Sequence, residues 1–142
     1  MPGRFLRRYA KRDARLGDTE IRKGQALYPS IASAQRDPAL IADAERRGLG
    51  NVVFMPAQPK DSMPAVWSLC DIALVHLKND PLFAGVIPSK IFEAMASGLA
   101  VLLAAPNGEA GCIIEADGAG ICVPAEDPEA MAIAARQLMD DG

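Results

Sequence analysis

The stretch that decides the fold is residues 71–105, DIALVHLKNDPLFAGVIPSKIFEAMASGLAVLLAA. Residues 71–77 are nearly all apolar, as expected of a strand covered on both faces. A loop rich in turn residues follows, KNDPLFAGV at 78–86. IPSKIFEAMASG at 87–98 then reads as a short helix, entered through Pro88 and left through Gly98. A second apolar run, AVLLAA at 100–105, is again a strand. Strand, helix, strand with short apolar strands is a βαβ crossover, and its repetition means a mainly parallel sheet.

The same alternation continues on both sides. Downstream, 106–118 holds a loop and a helix ended by Gly118, and AGICV at 119–123 is the next strand. EDPEAMAIAARQLMDD at 126–141 is the clearest helix, with Asp127 as N-cap, Pro128 at the first position and Glu129 in the first turn. Ala130, Ile133, Ala134 and Leu138 form its apolar stripe. Upstream, KDSMPAVWSLC at 60–70 offers Asp61 or Ser62 as a cap and Pro64 in the first turn, ahead of Val66, Trp67 and Leu69. NVVFM at 51–55 is a β-branched strand. PALIADAERRG at 38–48 is a helix with Leu40, Ile41 and Ala44 at helical spacing and Gly48 as its stop.

The fold class is therefore α/β, a Rossmann-like parallel sheet with helices on both faces. Four parallel strands are expected, near 51–55, 71–77, 100–105 and 119–123. In such sheets ligands bind beyond the carboxyl ends of the strands. Residues 76–88, 104–109 and 124–127 then lie on the ligand side. Residues 1–37 stand apart: they show no convincing strand, are basic, and are expected to pack poorly or to form a helix outside the sheet. A faint basic helix start, IRKGQAL at 21–27, is the only echo of the later pattern there. The expected division is 1–37 and 38–142.

Composition narrows the function classes. The chain has 142 residues, about one domain, and half are apolar while 5% are aromatic, which suits layered α/β packing. No apolar run reaches the roughly 20 residues a bilayer span needs. The basic N-terminus lacks the apolar core of a signal peptide. Cys70, Cys112 and Cys122 show no Cys-x-x-Cys spacing and His76 is the sole histidine, so no metal site is expected. An odd number of free thiols fits a reducing cytoplasm, and Cys112 and Cys122 are expected to be buried. Residues 1–50 hold 11 Lys/Arg against 6 Asp/Glu, and residues 51–142 hold 4 against 12. The acidic second part would not neutralise many phosphates, so nucleic acid is not an expected partner.

The helix start at 88–91 carries the chemistry. The backbone N–H groups of Ser89, Lys90 and Ile91 have no acceptors within the helix, and the helix dipole adds positive charge. Lys90 adds a full charge and Ser89 a hydroxyl, which suits a phosphate or diphosphate. Glu93 lies four residues after Ser89 and three after Lys90, on their face. A carboxylate there can accept two hydrogen bonds from the vicinal diol of a ribose. The residues alone leave a second reading open, a surface ion pair between Lys90 and Glu93. His76 at a strand end is either structural or a ligand contact. Glu109, in the first turn of a helix, either contacts a ligand or compensates the dipole. Trp67 reads as core or domain interface.

Residues 51–141 resemble the C-terminal half of group 1 glycosyltransferases of the GT-B architecture, nearest to those that build bacterial surface polysaccharides. NVVF, MPAVWSLCDIAL, PSKIFEAMASG and GEAGCIIEADGAGICVPAEDPEAMA stand in family order and spacing. The resemblance covers about residues 38–142. It implies one half of a GT-B fold, truncated, with the donor nucleotide on the face named above. Glu93 would hold the donor ribose, and Ser89, Lys90 and Ile91 the diphosphate. Gln58, in the loop at 56–58 near the base, and His76 and Glu109 would be further donor contacts; no catalytic residue is identified. The implied reaction moves a sugar from a nucleotide diphosphate sugar to a saccharide or lipid-linked acceptor, with retention, no cofactor and no metal. It implies a cytoplasmic location with peripheral association at the inner face of the membrane. Many family members carry a first acid eight residues before the helix acid; here that position is Gly85. The acceptor-binding half is not recognisable, so the chain alone is expected to be incomplete. The alternative is a non-catalytic nucleotide-sugar-binding module or an inactive truncated transferase.

Overall fold

The structure, a computed structural model, describes residues 14–16, 19–21, 26–28, 38–50, 52–54 and 58–140. These fall into two compact units, divided between Cys70 and Asp71.

The unit that ends at Cys70 begins with an antiparallel pair, β1 (Ala14–Leu16) and β2 (Thr19–Ile21). A second pair follows, β3 (Ala26–Tyr28) and β4 (Val52–Phe54), parallel and with Leu27 opposite Val53. Between them lies α1 (Pro38–Arg46), so the strand–helix–strand pattern extends upstream. This corrects two sequence expectations. Residues 1–37 contain strands, and residues 26–27 of the faint helix start are in one. β4 pairs in parallel with β3, a strand the sequence reading did not expect. The reason is that three-residue strands carry almost no alternation, so pairing partners decide them. Most of the basic N-terminus lies outside the described residues.

On α1, Ala44 is buried but Leu40 is exposed, so the apolar stripe is narrower than the spacing suggested. Asp43 accepts from Arg47 Nε at 2.8 Å and also pairs with Arg46. A 3₁₀ turn, Lys60–Ser62, leads into α2 (Met63–Ser68). Ser62 takes the cap position without a side-chain bond, and Pro64 sits in the first turn. Val66, Trp67 and Cys70 are buried.

The unit from Asp71 holds β5 (Ile72–His76), α3 (Ser89–Ala96), β6 (Ala100–Ala104), α4 (Glu109–Ala116), β7 (Gly120–Val123) and α5 (Pro128–Asp140). The three strands are parallel in the order β5-β6-β7, with Ile72 opposite Ala100 and Leu102 opposite Ile121. Side chains alternate between two faces, as the pleat requires. Ile72, Leu102, Ala104 and Val123 pack with Ala134 and Ala135 of α5, joined by Leu74, Ala130, Met131 and Leu138. On the opposite face Val101 and Leu103 are fully buried, and Cys122 lies against Gly111 of α4. Right-handed crossovers place α3 and α4 together on this second face. The sheet is thus covered on both sides, and β6 is apolar throughout, with Val101–Ala104 buried and only Ala100 partly exposed.

Two details differ from the sequence reading. Ile133 is 58% exposed; the buried stripe of α5 runs instead along Ala130, Met131, Ala134, Ala135 and Leu138. Ile133 lies on the far flank of that arc. Cys112 is exposed and Cys122 only partly buried, because Ala110, Gly111 and Ile114 take the inner face of α4 and β7 is an edge strand among the described residues. Gly98 and Gly118 end α3 and α4 at φ +72° and +59°, the left-handed conformation expected of helix stops.

Candidate functional site

Parallel strands put all three carboxyl ends on one edge. His76, Ala104 and Val123 close β5, β6 and β7, and the segments that follow lead to the starts of α3, α4 and α5. The edge is sealed by ladder bonds one step past the strands, from Leu77 N–H to the Ala104 carbonyl (2.8 Å) and from Ala105 N–H to the Val123 carbonyl (3.1 Å).

The β5–α3 connection is built in pieces. Asp80 caps a 3₁₀ turn, Pro81–Gly85, by accepting from Leu82 N–H at 2.9 Å. Pro88 stands at the N-cap of α3 in extended conformation, one position earlier than a first-turn proline. Its carbonyl accepts the Ile91 N–H at 3.1 Å. Ile91 therefore does not offer a free N–H, and its side chain is fully buried. The N–H groups of Ser89 and Lys90 point out of the first turn without intrahelical acceptors. Glu93 follows one turn later, exposed. Among the described residues no ion pair joins Lys90 to Glu93, so the geometry lends no support to the ion-pair reading. The carboxylate is tolerated in an apolar helix because only Ile91 and Ala94 are buried; Phe92 beside it is 48% exposed.

The other sequence candidates divide between the units. His76 is exposed at the end of β5, and Glu109 is the exposed first residue of α4. Both share the carboxyl edge with the start of α3. Gln58 belongs to the other unit, where it is half-buried, and Pro56 and Ala57 of the same loop lie outside the described residues. Among the described residues no three His, Cys, Asp or Glu side chains converge as a metal site would. No helix among them is long and apolar enough to cross a membrane.

A family model of the group 1 glycosyl transferases matches residues 20–141. The chain belongs to this family. The match starts ahead of the sequence resemblance and takes in β3 and its pairing with β4. The parallel sheet with helices on both faces is consistent with part of a Rossmann-like half of the GT-B fold. A relative in Escherichia coli (strain K12), WcaI, named for colanic acid biosynthesis glycosyl transfer, is 37% identical over 98 residues. Those residues are 68% of this chain and 24% of WcaI, so the chain matches about a quarter of that relative's length. No solved structure matches the chain significantly.

Two features of this glycosyl transferase edge were not read from sequence. Gly108, the N-cap of α4, is extended, and its backbone runs against the Ala84 carbonyl of the 3₁₀ turn. Glu126 adopts φ +60°, alone among the described residues other than glycine, and its carboxylate accepts the Asn79 N–H at 3.2 Å. That conformation costs a residue with a side chain about 1 kcal/mol or more. The signal for Gly108 was its place before a helix start at the ligand edge. For Glu126 it was the turn between β7 and the Asp127 cap, where Ala130 N–H reaches the Asp127 carboxylate at 2.9 Å.

Proposed function

We propose that residues 38–142 form the donor side of a glycosyl transferase that moves a sugar from a nucleotide diphosphate sugar to a saccharide or lipid-linked acceptor. The observation that carries this is the start of α3. It lies at the carboxyl edge of the parallel sheet, with two open N–H groups, a cationic side chain and an exposed carboxylate one turn on. Lys90, the Ser89 hydroxyl and the first N–H groups hold the diphosphate. Ile91 contributes by burial, anchoring the helix start rather than donating. Glu93 accepts from the ribose hydroxyls.

The same groups suit the reaction. Diphosphate gains charge as the glycosidic bond to it breaks. Fixed donors and Lys90 stabilise that charge without reorganising, which favours departure. Retention at the anomeric carbon and independence of a metal ion are proposed on the family resemblance. His76 and Glu109, at the same carboxyl edge, are further contacts. The name of WcaI, for colanic acid biosynthesis, supports a place in surface polysaccharide synthesis; a cytoplasmic location in peripheral contact with the membrane is proposed along with it.

Titration of the chain with UDP, GDP and ADP, followed by calorimetry or amide chemical shifts, tests the reading. One diphosphate should bind with shifts at residues 88–93. No binding by any of the three would refute it.

A further inference from the structure

The connection from β5 to α3 is held at two places by the neighbouring loops. At its far end the 3₁₀ turn presses the Ala84 carbonyl against Gly108, where a Cβ would come within 2.0 Å. At its near end Asn79 N–H donates to the Glu126 carboxylate at 3.2 Å, across 47 residues of sequence. The first anchor needs only a missing side chain. The second needs a side-chain acceptor at a backbone position where glycine would be easier, since φ is +60°.

Such outliers persist when the surroundings demand them, and they concentrate where a site must be held in shape. Here the demand is visible. Asn79 immediately precedes Asp80, whose carboxylate caps the 3₁₀ turn, and the turn leads through residues 86–88 to Ser89. Phe83 N–H and Val86 N–H close on the Asp80 and Phe83 carbonyls at 2.9 and 3.1 Å. A shift at Asn79 is therefore passed along a bonded chain toward the start of α3. Glu126 itself is rooted firmly, between buried Ala125 and the Asp127 cap of α5.

We infer that Glu126 is a positioning residue for the donor site. Its carboxylate clasps the β5–α3 connection to the β7–α5 loop and so sets Ser89 and Lys90 for the diphosphate. The inference rests on the reading of α3 as the diphosphate site. It assigns Glu126 no contact with the donor. One of its carboxylate oxygens accepts from Asn79, and the left-handed backbone is what aims it there.

The test compares the 142-residue chain with Glu126→Gly and Glu126→Gln. Glycine keeps the left-handed backbone and removes the clasp; glutamine keeps an acceptor. In the ligand-free Glu126→Gly chain, amide exchange should quicken across residues 77–86 and nowhere else, while the thermal midpoint stays level or rises. Affinity for the diphosphate that the parent binds should fall ~3- to 10-fold, the size of one lost hydrogen bond. Glu126→Gln should stay near the parent in both readouts. A residue that only served stability would give the reverse, a lower midpoint with unchanged affinity. Equal exchange and equal affinity in parent and Glu126→Gly would overturn the clasp while leaving the diphosphate site intact. Failure of the parent itself to bind UDP, GDP or ADP would remove the site, and the positioning role with it.

Discussion

Gly108 and Ala84 touch backbone to backbone: a Cβ built on Gly108 would lie 2.0 Å from the Ala84 carbonyl oxygen and 2.8 Å from its carbon. The obstacle is main chain, which cannot swing aside as a side-chain tip can. Gly108 is extended, so the cost of a larger residue is steric and owes nothing to φ. Gly108→Ala should destabilise the chain by ~1–3 kcal/mol, the range for overpacking, read as a lower urea midpoint. Gly85→Ala is the control, since a Cβ there meets nothing within 4 Å. Equal midpoints for the two variants would refute the close approach.

The α5 cap makes a local claim. Asp127 accepts from Ala130 N–H at 2.9 Å, satisfying one of the open donors of the first turn. Asp127→Ala should cost about 1 kcal/mol, and Asp127→Asn a good deal less, because asparagine caps nearly as well. Chemical unfolding of the three chains measures the difference. Should alanine and asparagine lose the same amount, the cap would not be what Asp127 provides.

The three thiols should separate by reactivity. Burial, with Glu115 and Cys112 nearby, pushes the Cys122 thiol above its ordinary pKa of 9.0. Cys112 is exposed and Cys70 buried. Alkylation near pH 8, followed by peptide mass spectrometry, should label Cys112 first, Cys122 slowly and Cys70 only on unfolding, because the thiolate is the nucleophile. The folded chain keeps the Cys122 proton to higher pH than the unfolded chain does. Its contribution to stability is thus fully present below the ordinary thiol pKa and is lost as pH rises through the raised one. Cys122→Ser should flatten that alkaline decline. Labelling of Cys122 ahead of Cys112 would contradict the account.

Much of the second unit was legible because its signals are redundant. Apolar runs, proline before a helix, and glycine after one coincide at 71–123, and Gly98 and Gly118 take the left-handed conformation such stops require. The upstream strands were not legible. Thr19–Ile21 and Ala26–Tyr28 are three residues each, too short to show a pattern, and the partner of Ala26–Tyr28 lies some way along the sequence. Helix periodicity located α1 and α5 but blurred their faces, so Leu40 and Ile133 were assigned inward and are exposed. At the proposed site, spacing put Ser89, Lys90 and Glu93 on one face of a helix start but left a surface ion pair open; the family resemblance favoured the donor reading. That Pro88 would accept the Ile91 N–H, and that Glu126 would reach back to Asn79, depends on backbone angles no pattern of residue types displays.

The measurement that bears most directly on the central claim is nucleotide binding by the parent, Lys90→Met and Glu93→Gln, set beside binding of the matching nucleoside. Lys90→Met should weaken the diphosphate far more than the nucleoside, since only the phosphates see its charge. Glu93→Gln should weaken both, by ~1–2 kcal/mol, as for a hydrogen bond to a charged group, with stability nearly unchanged because Glu93 is exposed. Equal affinity of all three chains for the preferred diphosphate would contradict the account and return Lys90 and Glu93 to the ordinary surface of a helix.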